Sequence, residues 1–501
     1  MPFNSPLFLF LFLPLVLGCY WLLRANGRIW FLLGVSLLYF AASNVFTSFS
    51  EIGKTGSSFL LLLLYYIVAN YLFGLSAEKY RDSFWGKVVV WLSIAMNLLP
   101  LICYRYPGVA AMAAQGIIPS STGVNIADYF KFSYLPLGLS FLTFQAIAYV
   151  LDVYRDEIDA QKNPLLLSLF LVLFPKITAG PIIRYSEVAE DLADPKVSAD
   201  KFAMGARRFV IGLGKKVLLA DTLALTANQI FSVPAAELSP SAAWLGLITY
   251  SLQLYLDFSG YSDMAIGLGR MFGFTFQENF NYPYISRSLT EFWRRWHISL
   301  STWLRDYMFI PLSYALMSDS VRQKIAQGRY PTNYRSLFSI VMVFTACGLW
   351  HGVGWNFIVW GMLHGVVLAL ESLWLSRVIK KWWVPLQHVY LLLIVMLPWV
   401  FFRASSFSEA VDYLRTLAGF PATTVFHYDL RMYIDSTELL VLIAGVVAST
   451  PIVRNISDHL RKTEHHAIGA FCEIAGMVFV LMLSFCSIAS STFTPFLYQK
   501  F

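Results

Sequence analysis

The chain has 501 residues, of which 57% are hydrophobic and only 13% are charged. A soluble domain carries about 25% charged residues, so this composition excludes an ordinary soluble protein and predicts an integral membrane protein that lies in a lipid bilayer. The formal net charge is +7. Because basic residues concentrate in the cytoplasmic loops of membrane proteins, this excess does not indicate binding to nucleic acid.

Apolar segments close to the ~20 residues that a bilayer requires recur along the chain. The first, 7–23, is followed by Arg24 and Arg28 instead of being preceded by basic residues, which favours an uncleaved span over a signal peptide. Further ordinary spans are predicted at 29–46, 57–75, 86–104, 242–256, 336–350, 353–375, 388–402, 438–450 and 467–489. The pattern predicts one all-α, polytopic membrane domain over 1–501, with about eleven transmembrane helices plus re-entrant segments.

Three segments differ from ordinary spans. Segment 107–128 is mixed in polarity and rich in turn-forming residues, so it predicts an exposed loop. Segment 129–155 predicts a long apolar helix that carries Gln145. Segment 164–183 contains Lys176 between two prolines, Pro175 and Pro181. It predicts a broken or re-entrant element, since irregular backbone at membrane depth must be covered by protein or border a water-filled cavity.

A block of charged and aromatic residues at 288–312 is the first candidate site. It reads SLTEFWRRWHISLSTWLRDYMFIPL and contains His297 directly after Trp296. Ionisable groups at membrane depth cost about 2.5–3.5 kcal/mol each on insertion scales and normally border a cavity or a reaction path. Glu291 stands four residues before Arg295, a spacing that predicts an ion pair on one helix face. An interfacial amphipathic helix, with cations at the lipid headgroups, is the alternative interpretation.

A second block, 346–365, contains His351 and His364, each framed by glycines in a G-x-x-x-G spacing that lets helices approach closely. His351 follows Trp350, as His297 follows Trp296. A neutral imidazole in a desolvated site accepts a proton from a hydroxyl near pH 7, which favours a catalytic role for His351. His364 follows no charged block, so we interpret it as a structural residue that hydrogen-bonds between packed helices.

Asp257 and Asp263 are further intramembrane ionisable residues. Six residues apart, they lie off a common helical face, so we expect no paired-carboxylate site. They either orient neighbouring polar groups or belong to a proton or ion path, and the second interpretation would suit a transporter.

Other site chemistries lack their sequence patterns. The chain has no H-E-x-x-H or Cys/His cluster, no G-x-S-x-G nucleophile motif and no nucleotide-binding glycine fingerprint, so we expect no metal site and no bound cofactor. The odd number of cysteines, all in apolar stretches, indicates small buried hydrophobic residues rather than disulfides: Cys19, Cys103, Cys347, Cys472 and Cys486.

Five long blocks resemble the membrane-bound O-acyltransferases, in the order of that family. The resemblance is to the bacterial polysaccharide branch, which includes alginate O-acetylases and is related to the teichoic-acid D-alanylation membrane protein. The core motifs fall within 129–365 and read LPLGLSFLTFQAIAYVLDVYR, FPKITAGPIIRY, LYLDFSGYSDMAIGLGRMFGF, NFNYPYISRSLTEFWRRWHISLSTWLRDYMFIPL and GLWHGVGWNFIVWGMLHG. The resemblance implies a helical fold around a central tunnel, in the bacterial inner membrane.

The resemblance also implies roles for individual residues. The invariant histidine of the family falls on His351, which would activate an acceptor hydroxyl for attack on an acyl thioester, and its second polar position falls on His297. His297, with N–H groups of tryptophans or of Asn356, would stabilise the oxyanion. The predicted substrate-binding set is Trp296, Arg294, Arg295, Arg305, Trp350, Asn356 and Asp263. The three arginines would bind either the phosphates of coenzyme A or lipid headgroups.

The first functional hypothesis is therefore an acetyltransferase that uses acetyl-CoA as its donor. It would pass acetyl groups across the membrane to periplasmic or membrane-anchored acetyltransferase partner proteins, for O-acetylation of an exported polysaccharide such as alginate. The second keeps the chemistry but changes the acceptor to cellulose, another exopolysaccharide or a cell-wall polymer. The third is a transporter that forms no bond, although no inverted repeat is found.

Overall fold

The computed structural model describes residues 1–46, 56–117, 136, 138–178, 180–317, 334–420, 428–462 and 466–490. Over these residues the regular structure is helical, apart from one isolated β-bridge between Leu238 and Tyr428. The chain divides into two compact units, Met1–Phe209 with Ala265–Gln277, and Val210–Met264 with Glu278–Phe501. The single domain over 1–501 stays a prediction, and 129–135, 137, 179 and 318–333 of its core motifs lie outside the described residues.

The first unit contains the N-terminal helices. In chain order they are a π-helical turn at Phe8–Phe12, α1 (Leu13–Leu22), α2 (Ala25–Phe46), α3 (Gly56–Lys79), α4 (Phe84–Arg105), α5 (Pro107–Ile117), α6 (Leu139–Tyr154), α7 (Pro164–Val172), α8 (Phe174–Ile177), α9 (Tyr185–Ala193) and the start of α10 (Ala199–Gly214). The loop prediction for 107–128 is wrong for α5, because proline is favoured in the first turn and alanines favour the helix. Its remainder lies outside the described residues.

The second unit continues from the end of α10. It contains a π-helical segment (Lys215–Ala220), α11 (Asp221–Phe231), most of α12 (Pro240–Met271), α13 (Leu289–Trp293), α14 (Ile298–Leu304), a π-helical segment (Arg305–Phe309), α15 (Ile310–Leu316), α16 (Tyr334–His351), α17 (Trp355–Leu370), a π-helical segment (Glu371–Leu375), α18 (Ser376–Ile379), α19 (Val384–Arg403), α20 (Phe407–Leu417), α21 (Ser436–Ala448), α22 (Ile452–Lys462) and α23 (His466–Ser490). Short 3₁₀ turns lie at Ala235–Glu237, Pro283–Ile285 and Leu430–Met432.

Five helices in the described part of the chain are long and apolar enough to cross a membrane. They cover Phe59–Lys79, Phe84–Arg105, Trp355–Ile379, Val384–Arg403 and Gly469–Ser490. A sixth candidate joins Ser436–Ala448 and Ile452–His459 across a bend of 64°. Shorter apolar helices cover Phe8–Leu22, Gly27–Ala42, Leu139–Tyr154 and Ser336–His351. The predicted helical membrane architecture is present, whereas the count of eleven spans and the central tunnel stay predictions.

Polar side chains join helices inside the first unit. The side-chain amides of Asn70 on α3 and Asn97 on α4 donate to each other at 2.9 and 2.8 Å. The predicted break in 164–183 falls at Leu173, between α7 and α8. Lys176 on α8 is buried, donates to Gln145 of α6 and lies 4.2 Å from the ring centroid of Phe170. These contacts explain why amides and a lysine occur in otherwise apolar segments, since polar groups in lipid are stabilised by partners on neighbouring helices.

In the second unit, α16 and α17 form a closely packed hairpin along a row of glycines. A Cβ atom added to Gly348 would lie 2.2 Å from the carbonyl oxygen of Phe357, and one added to Gly365 would lie 2.8 Å from the Cα atom of Val341. Only glycine permits such close approach of two backbones. The role predicted for the two G-x-x-x-G spacings is therefore confirmed for Gly348, Gly361 and Gly365.

We expect Gly361→Ala to destabilise the protein by about 1–3 kcal/mol, because the added methyl group overpacks the hairpin. Its Cβ atom would lie 2.2 Å from the carbonyl oxygen of Phe344 and 3.2 Å from the amide nitrogen of Gly348, so backbone must move. Thermal unfolding of detergent-solubilised protein measures the effect. The control is Gly476→Ala on α23, whose Cβ atom would meet nothing within 4 Å. Equal melting temperatures for both variants would show that the glycine row is dispensable.

Candidate active site

His351 is the last residue of α16 and lies at the turn that leads into α17. It is buried, and its imidazole packs against Trp350, Trp360 and Phe402 at centroid distances of 4.5, 5.1 and 5.0 Å. The last two rings meet the imidazole edge to face, which fixes its orientation. This is the setting in which an imidazole can act on a hydroxyl without competition from bulk water.

His364 shares Trp360 with His351 but has a different environment. Its Nδ1 atom lies 2.9 Å from the carbonyl oxygen of Trp360, one turn earlier in the same helix. Its ring lies among Trp293, Trp360 and Trp399, at centroid distances of 5.6, 4.7 and 6.3 Å. Enclosure by three indoles supports the structural role predicted for His364, but this hydrogen bond lies within its own helix and not between packed helices as predicted.

His297 occupies a junction between two short helices. It is the residue before α14, and its backbone has φ 42° and ψ 54°, in the left-handed region. For a residue with a side chain this conformation costs about 1–2 kcal/mol, and such strain clusters at functional sites. Since α13 ends at Trp293 and α14 begins at Ile298, this block does not form one continuous helix, whereas the interfacial position of its cations stays a prediction.

Asn279 orients His297 and was not predicted. Its Oδ1 atom lies 3.2 Å from Nδ1 of His297 and accepts hydrogen bonds from the amide and hydroxyl of Ser299 at 3.2 and 3.0 Å. Its Nδ2 group donates to the hydroxyl of Ser262 on α12 at 3.1 Å. Phe258, also on α12, meets the imidazole edge to face at 4.7 Å. Asn279 thereby connects the His297 turn to α12, although it lies eighteen residues from His297 and seventeen from Ser262 in the sequence, separations that no local pattern reveals.

Aromatic rings connect the two candidate catalytic histidines within the second unit. Trp296 is buried and packs 5.2 Å from Phe280 and 5.4 Å from Trp399. The series of centroid distances is His297–Phe280 6.4 Å, Phe280–Trp296 5.2 Å, Trp296–Trp399 5.4 Å, Trp399–Trp360 5.7 Å and Trp360–His351 5.1 Å. The structure therefore places His297 and His351 on one aromatic cluster, with Trp296 at its centre.

The three candidate arginines differ in their partners. Arg295 pairs with Glu291 at 2.9 Å, which confirms the predicted i,i+4 pair, and donates to the carbonyl oxygen of Asn281 at 3.2 Å. Arg305 donates to both carboxylate oxygens of Asp306, at 2.6 and 3.1 Å. Arg294 is exposed. Neighbouring carboxylates therefore compensate Arg295 and Arg305, and binding of phosphate by these arginines stays a prediction.

Asn356 and Trp350 complete the predicted set beside His351. Both side-chain N–H groups of Asn356 are used within the protein, donating to the carbonyl oxygens of Phe401 and Ala404 at 3.1 and 3.0 Å. This pair of bonds ties the start of α17 to the end of α19, so the structure favours a structural role over the predicted contact with an oxyanion. Trp350 is half-buried and lies directly against His351.

The two aspartates on α12 each pair with a lysine. The Lys215 ammonium lies 2.8 Å from Oδ2 of Asp263, and the Lys216 ammonium lies 2.6 Å from Oδ1 of Asp257. Separate partners agree with the expectation that the aspartates form no paired-carboxylate site. Since Asp263 interacts with Lys215, its contact with a substrate stays a prediction without structural support.

Glu371 is a second positioning residue that the sequence did not reveal. This buried carboxylate accepts hydrogen bonds from the amides of Leu289 and Thr290, both at 2.8 Å, from the Thr290 hydroxyl at 2.6 Å and from the Tyr390 hydroxyl at 3.0 Å. A carboxylate is favoured at a helix N-terminus, where backbone N–H groups lack partners. Glu371 thus anchors the start of α13, the helix that leads to Trp296 and His297.

The fold and the site together define a class of protein, an all-helical membrane protein with three buried histidines on one aromatic cluster, two of which are candidate catalytic residues. Residues 124–408 match MBOAT, the membrane-bound O-acyltransferase family. A probable alginate O-acetylase of Azotobacter vinelandii is 35% identical over 100% of both chains. A peptidoglycan O-acetyltransferase of Helicobacter pylori is 33% identical over 85% of this chain and 81% of the relative. A teichoic acid D-alanyltransferase of Streptococcus thermophilus is 29% identical over 64% of this chain and 73% of the relative.

The chain therefore belongs to the membrane-bound O-acyltransferase family. This confirms the resemblance drawn from the five sequence blocks, and it makes the protein a multi-pass membrane enzyme of the O-acyltransferase class. The transporter hypothesis finds no support in these relatives, which are named for transfer reactions.

Proposed function

We propose that the enzyme takes acetyl groups from acetyl-CoA at the cytoplasmic face of the bacterial inner membrane and passes them across this membrane for O-acetylation of an exported polysaccharide. Alginate is the preferred candidate for this polysaccharide. The observation that carries the proposal is the enclosed position of His351 at the α16–α17 turn, in a family of O-acyltransferases. End-to-end similarity to a probable alginate O-acetylase supports the acetyl donor and the polymer.

The chemistry assigned to the site is a direct acyl transfer. His351 accepts the proton of the acceptor hydroxyl as its oxygen attacks the thioester carbonyl. Because Oδ1 of Asn279 can only accept, Nδ1 is the protonated nitrogen of His297 and Nε2 is an acceptor for a hydrogen bond from the substrate. The tetrahedral oxyanion is therefore stabilised by indole N–H groups beside His351, with that of Trp350 as the candidate. When the intermediate collapses, the C–S bond breaks and the coenzyme A thiolate leaves with the proton that His351 received. The products are an acetyl ester and free thiol.

Polymers other than alginate are alternative acceptors of the acetyl group. Similarity to a peptidoglycan O-acetyltransferase and to a teichoic acid D-alanyltransferase supports a cell-wall polymer, cellulose or another exopolysaccharide as the acceptor for the same chemistry. In either version the acetyl group reaches the polymer through periplasmic or membrane-anchored acetyltransferase partner proteins, and Arg294, Arg295 and Arg305 are the candidates for binding the donor phosphates.

The proposal is tested with purified wild-type protein in lipid vesicles. The protein is supplied with acetyl-CoA that carries a radiolabel either in the acetyl group or in the adenine. Polymannuronate, cellulose and peptidoglycan fragments serve as acceptors, each with a periplasmic extract as a source of partners. We expect the acetyl label, and not the adenine label, to enter polymer or partner protein, with polymannuronate preferred. Preference for peptidoglycan would move the assignment to the cell wall. Acetyl label that stays on coenzyme A with every acceptor would overturn the proposal.

A further inference from the structure

Two ion pairs connect α12 to the π-helical segment Lys215–Ala220, one buried (Lys216–Asp257) and one partly exposed (Lys215–Asp263). The Lys216 ammonium lies between two carboxylates, 2.6 Å from Asp257 and 2.7 Å from Asp221, and its side chain is only 1% exposed. The Lys215 ammonium binds Asp263 at 2.8 Å. The acyl-transfer chemistry described above uses none of these groups.

Stability alone is a weak reason for such a network. Removing charges from water costs several kcal/mol per ion, and replacing a buried ion pair by apolar residues is often neutral or stabilising. Buried charges do specify one arrangement of neighbouring elements, because any shift would leave a charge without its partner. A π-helical segment is rare and frequently lies at functional sites. The network is therefore expected to fix the position of α12 relative to the π-helical segment rather than to raise the free energy of unfolding.

The ion pairs flank a point where two backbones touch. A Cβ atom added to Gly212 would lie 2.5 Å from the carbonyl oxygen of Gly260, and one added to Gly260 would lie 2.8 Å from that of Gly212. Asp257 lies three residues before Gly260 and Asp263 three residues after it, so the paired charges hold this contact from both sides. The stretch 257–263 of α12 is thereby fixed along the axis and in rotation.

The opposite face of the same stretch reaches His297. At about 100° per residue, Asp257 and Asp263 lie about 60° to either side of Gly260, and the face formed by Phe258 and Ser262 is centred about 180° from Gly260. Phe258 packs edge to face on the His297 imidazole at 4.7 Å. Ser262 accepts the hydrogen bond from Asn279, whose other side-chain atom lies 3.2 Å from the imidazole. A shift of α12 would therefore move both groups that orient His297.

We propose that Lys215 and Lys216, through their ion pairs with Asp263 and Asp257, are positioning residues that hold α12 where it orients the His297 imidazole for acyl transfer. The inference rests on the proposed function for its kinetic consequence. Its structural part, a dependence of the His297 ring environment on the Lys215–Asp263 pair, stands without it.

The kinetic test compares Lys215→Met, which removes the charge at similar length, with Lys215→Arg, which keeps it. We expect Lys215→Met to lower kcat for acetyl transfer about 10²-fold with little change in KM for acetyl-CoA, because displacement of a catalytic group by about 1 Å has effects of this size. Lys215→Arg is expected to stay within a few-fold of wild type. In a His297→Gln background, Lys215→Met should cause no further loss, because it acts through His297.

A second readout does not require activity. The chain has eight histidines, so nuclear magnetic resonance of isotope-labelled histidine side chains is practicable, and the His297 signal is identified by its disappearance in His297→Gln. We expect Lys215→Met to shift this signal. Arg415→Met is the control, since it breaks an exposed ion pair with Asp412 on α20 and should leave the signal in place. If wild-type protein transferred no acetyl group, the proposed function would be wrong. The comparison of the His297 signal between Lys215→Met and Arg415→Met would still decide whether Lys215 positions His297.

Two results would overturn the inference. One is a folded Lys215→Met variant with wild-type kcat and an unmoved His297 signal. The other is an equal loss of kcat with and without His297, which would mean that Lys215 acts elsewhere. If Lys215→Met does not fold, Asp263→Asn replaces it in the same comparisons, because the amide keeps the size and one acceptor oxygen of the carboxylate while removing its charge.

Discussion

The His351→Gln variant is expected to lose acetyl transfer by about 10³-fold or more in kcat, with nearly unchanged stability. General base catalysis contributes about 10²–10⁴-fold, and glutamine has no group that accepts a proton near neutral pH. Glutamine is close to histidine in size, and His351 contacts mainly aromatic rings, so the packing around Trp360 and Phe402 is largely preserved. Initial rates with radiolabelled acetyl-CoA, per mole of folded protein, measure the effect.

His364→Gln is the matched control for this substitution. His364 lies on the neighbouring helix of the same hairpin, packs on the same Trp360 and is equally framed by glycines. Because its Nδ1 atom contacts its own helix, we expect a reduced melting temperature but a kcat within about tenfold of wild type. The reverse ranking, with His364→Gln inactive and His351→Gln active, would exchange the roles assigned to the two histidines.

A second large effect is expected from Glu371→Gln, a destabilisation of about 3 kcal/mol. Each carboxylate oxygen of Glu371 accepts from one backbone amide, that of Leu289 or that of Thr290, and from one hydroxyl. The hydroxyls can rotate, but a glutamine NH₂ group in place of either oxygen leaves one buried amide without an acceptor. Hydrogen bonds to charged groups contribute about 1.5–3 kcal/mol each, and a buried unsatisfied donor costs about 1–3 kcal/mol. Thermal unfolding in detergent measures the change.

Glu409→Gln separates the effect of burial from the effect of capping. Glu409 also accepts hydrogen bonds at the start of a helix, from the amide of Ser405 at 3.0 Å and from its hydroxyl, but these bonds are exposed and Glu409 itself is only half-buried. Water can replace a lost partner there, so we expect a change below about 1 kcal/mol. Equal destabilisation by the two substitutions would contradict the view that the buried position of Glu371 makes it critical. A fall in kcat for Glu371→Gln alone would further indicate that α13 orients the His297 turn.

Local patterns predicted many of the helices of this protein, although not α5. Apolar periodicity indicated the helices, two prolines indicated the break at Leu173, and the i,i+4 spacing indicated the Glu291–Arg295 pair. Glycine spacing indicated the close contact of α16 with α17. In each case the interacting residues are near in sequence, or the constraint acts on a single helix face, so the pattern carries the structural information.

The partners of the site residues were not predictable in the same way. Glu371 binds backbone 81 and 82 residues away, and Lys216 meets Asp257 across 41 residues. Such pairings depend on which helices become neighbours, which periodicity does not specify. Asn356 shows the same limit, since its sequence position beside His351 suited a catalytic donor, whereas the fold uses both of its N–H groups to fasten α19.

The left-handed backbone at His297 means that two selective pressures act on a single position. One is for the imidazole, and the other is for a residue that tolerates positive φ, a property of glycine and, less strongly, of asparagine, aspartate and histidine. Among substitutions at 297 that keep a side chain in the buried site, asparagine should therefore give a higher thermal stability than β-branched residues, independently of activity. An inactive asparagine variant more stable than the wild type would be a measure of how much folding free energy the enzyme gives up to keep its histidine.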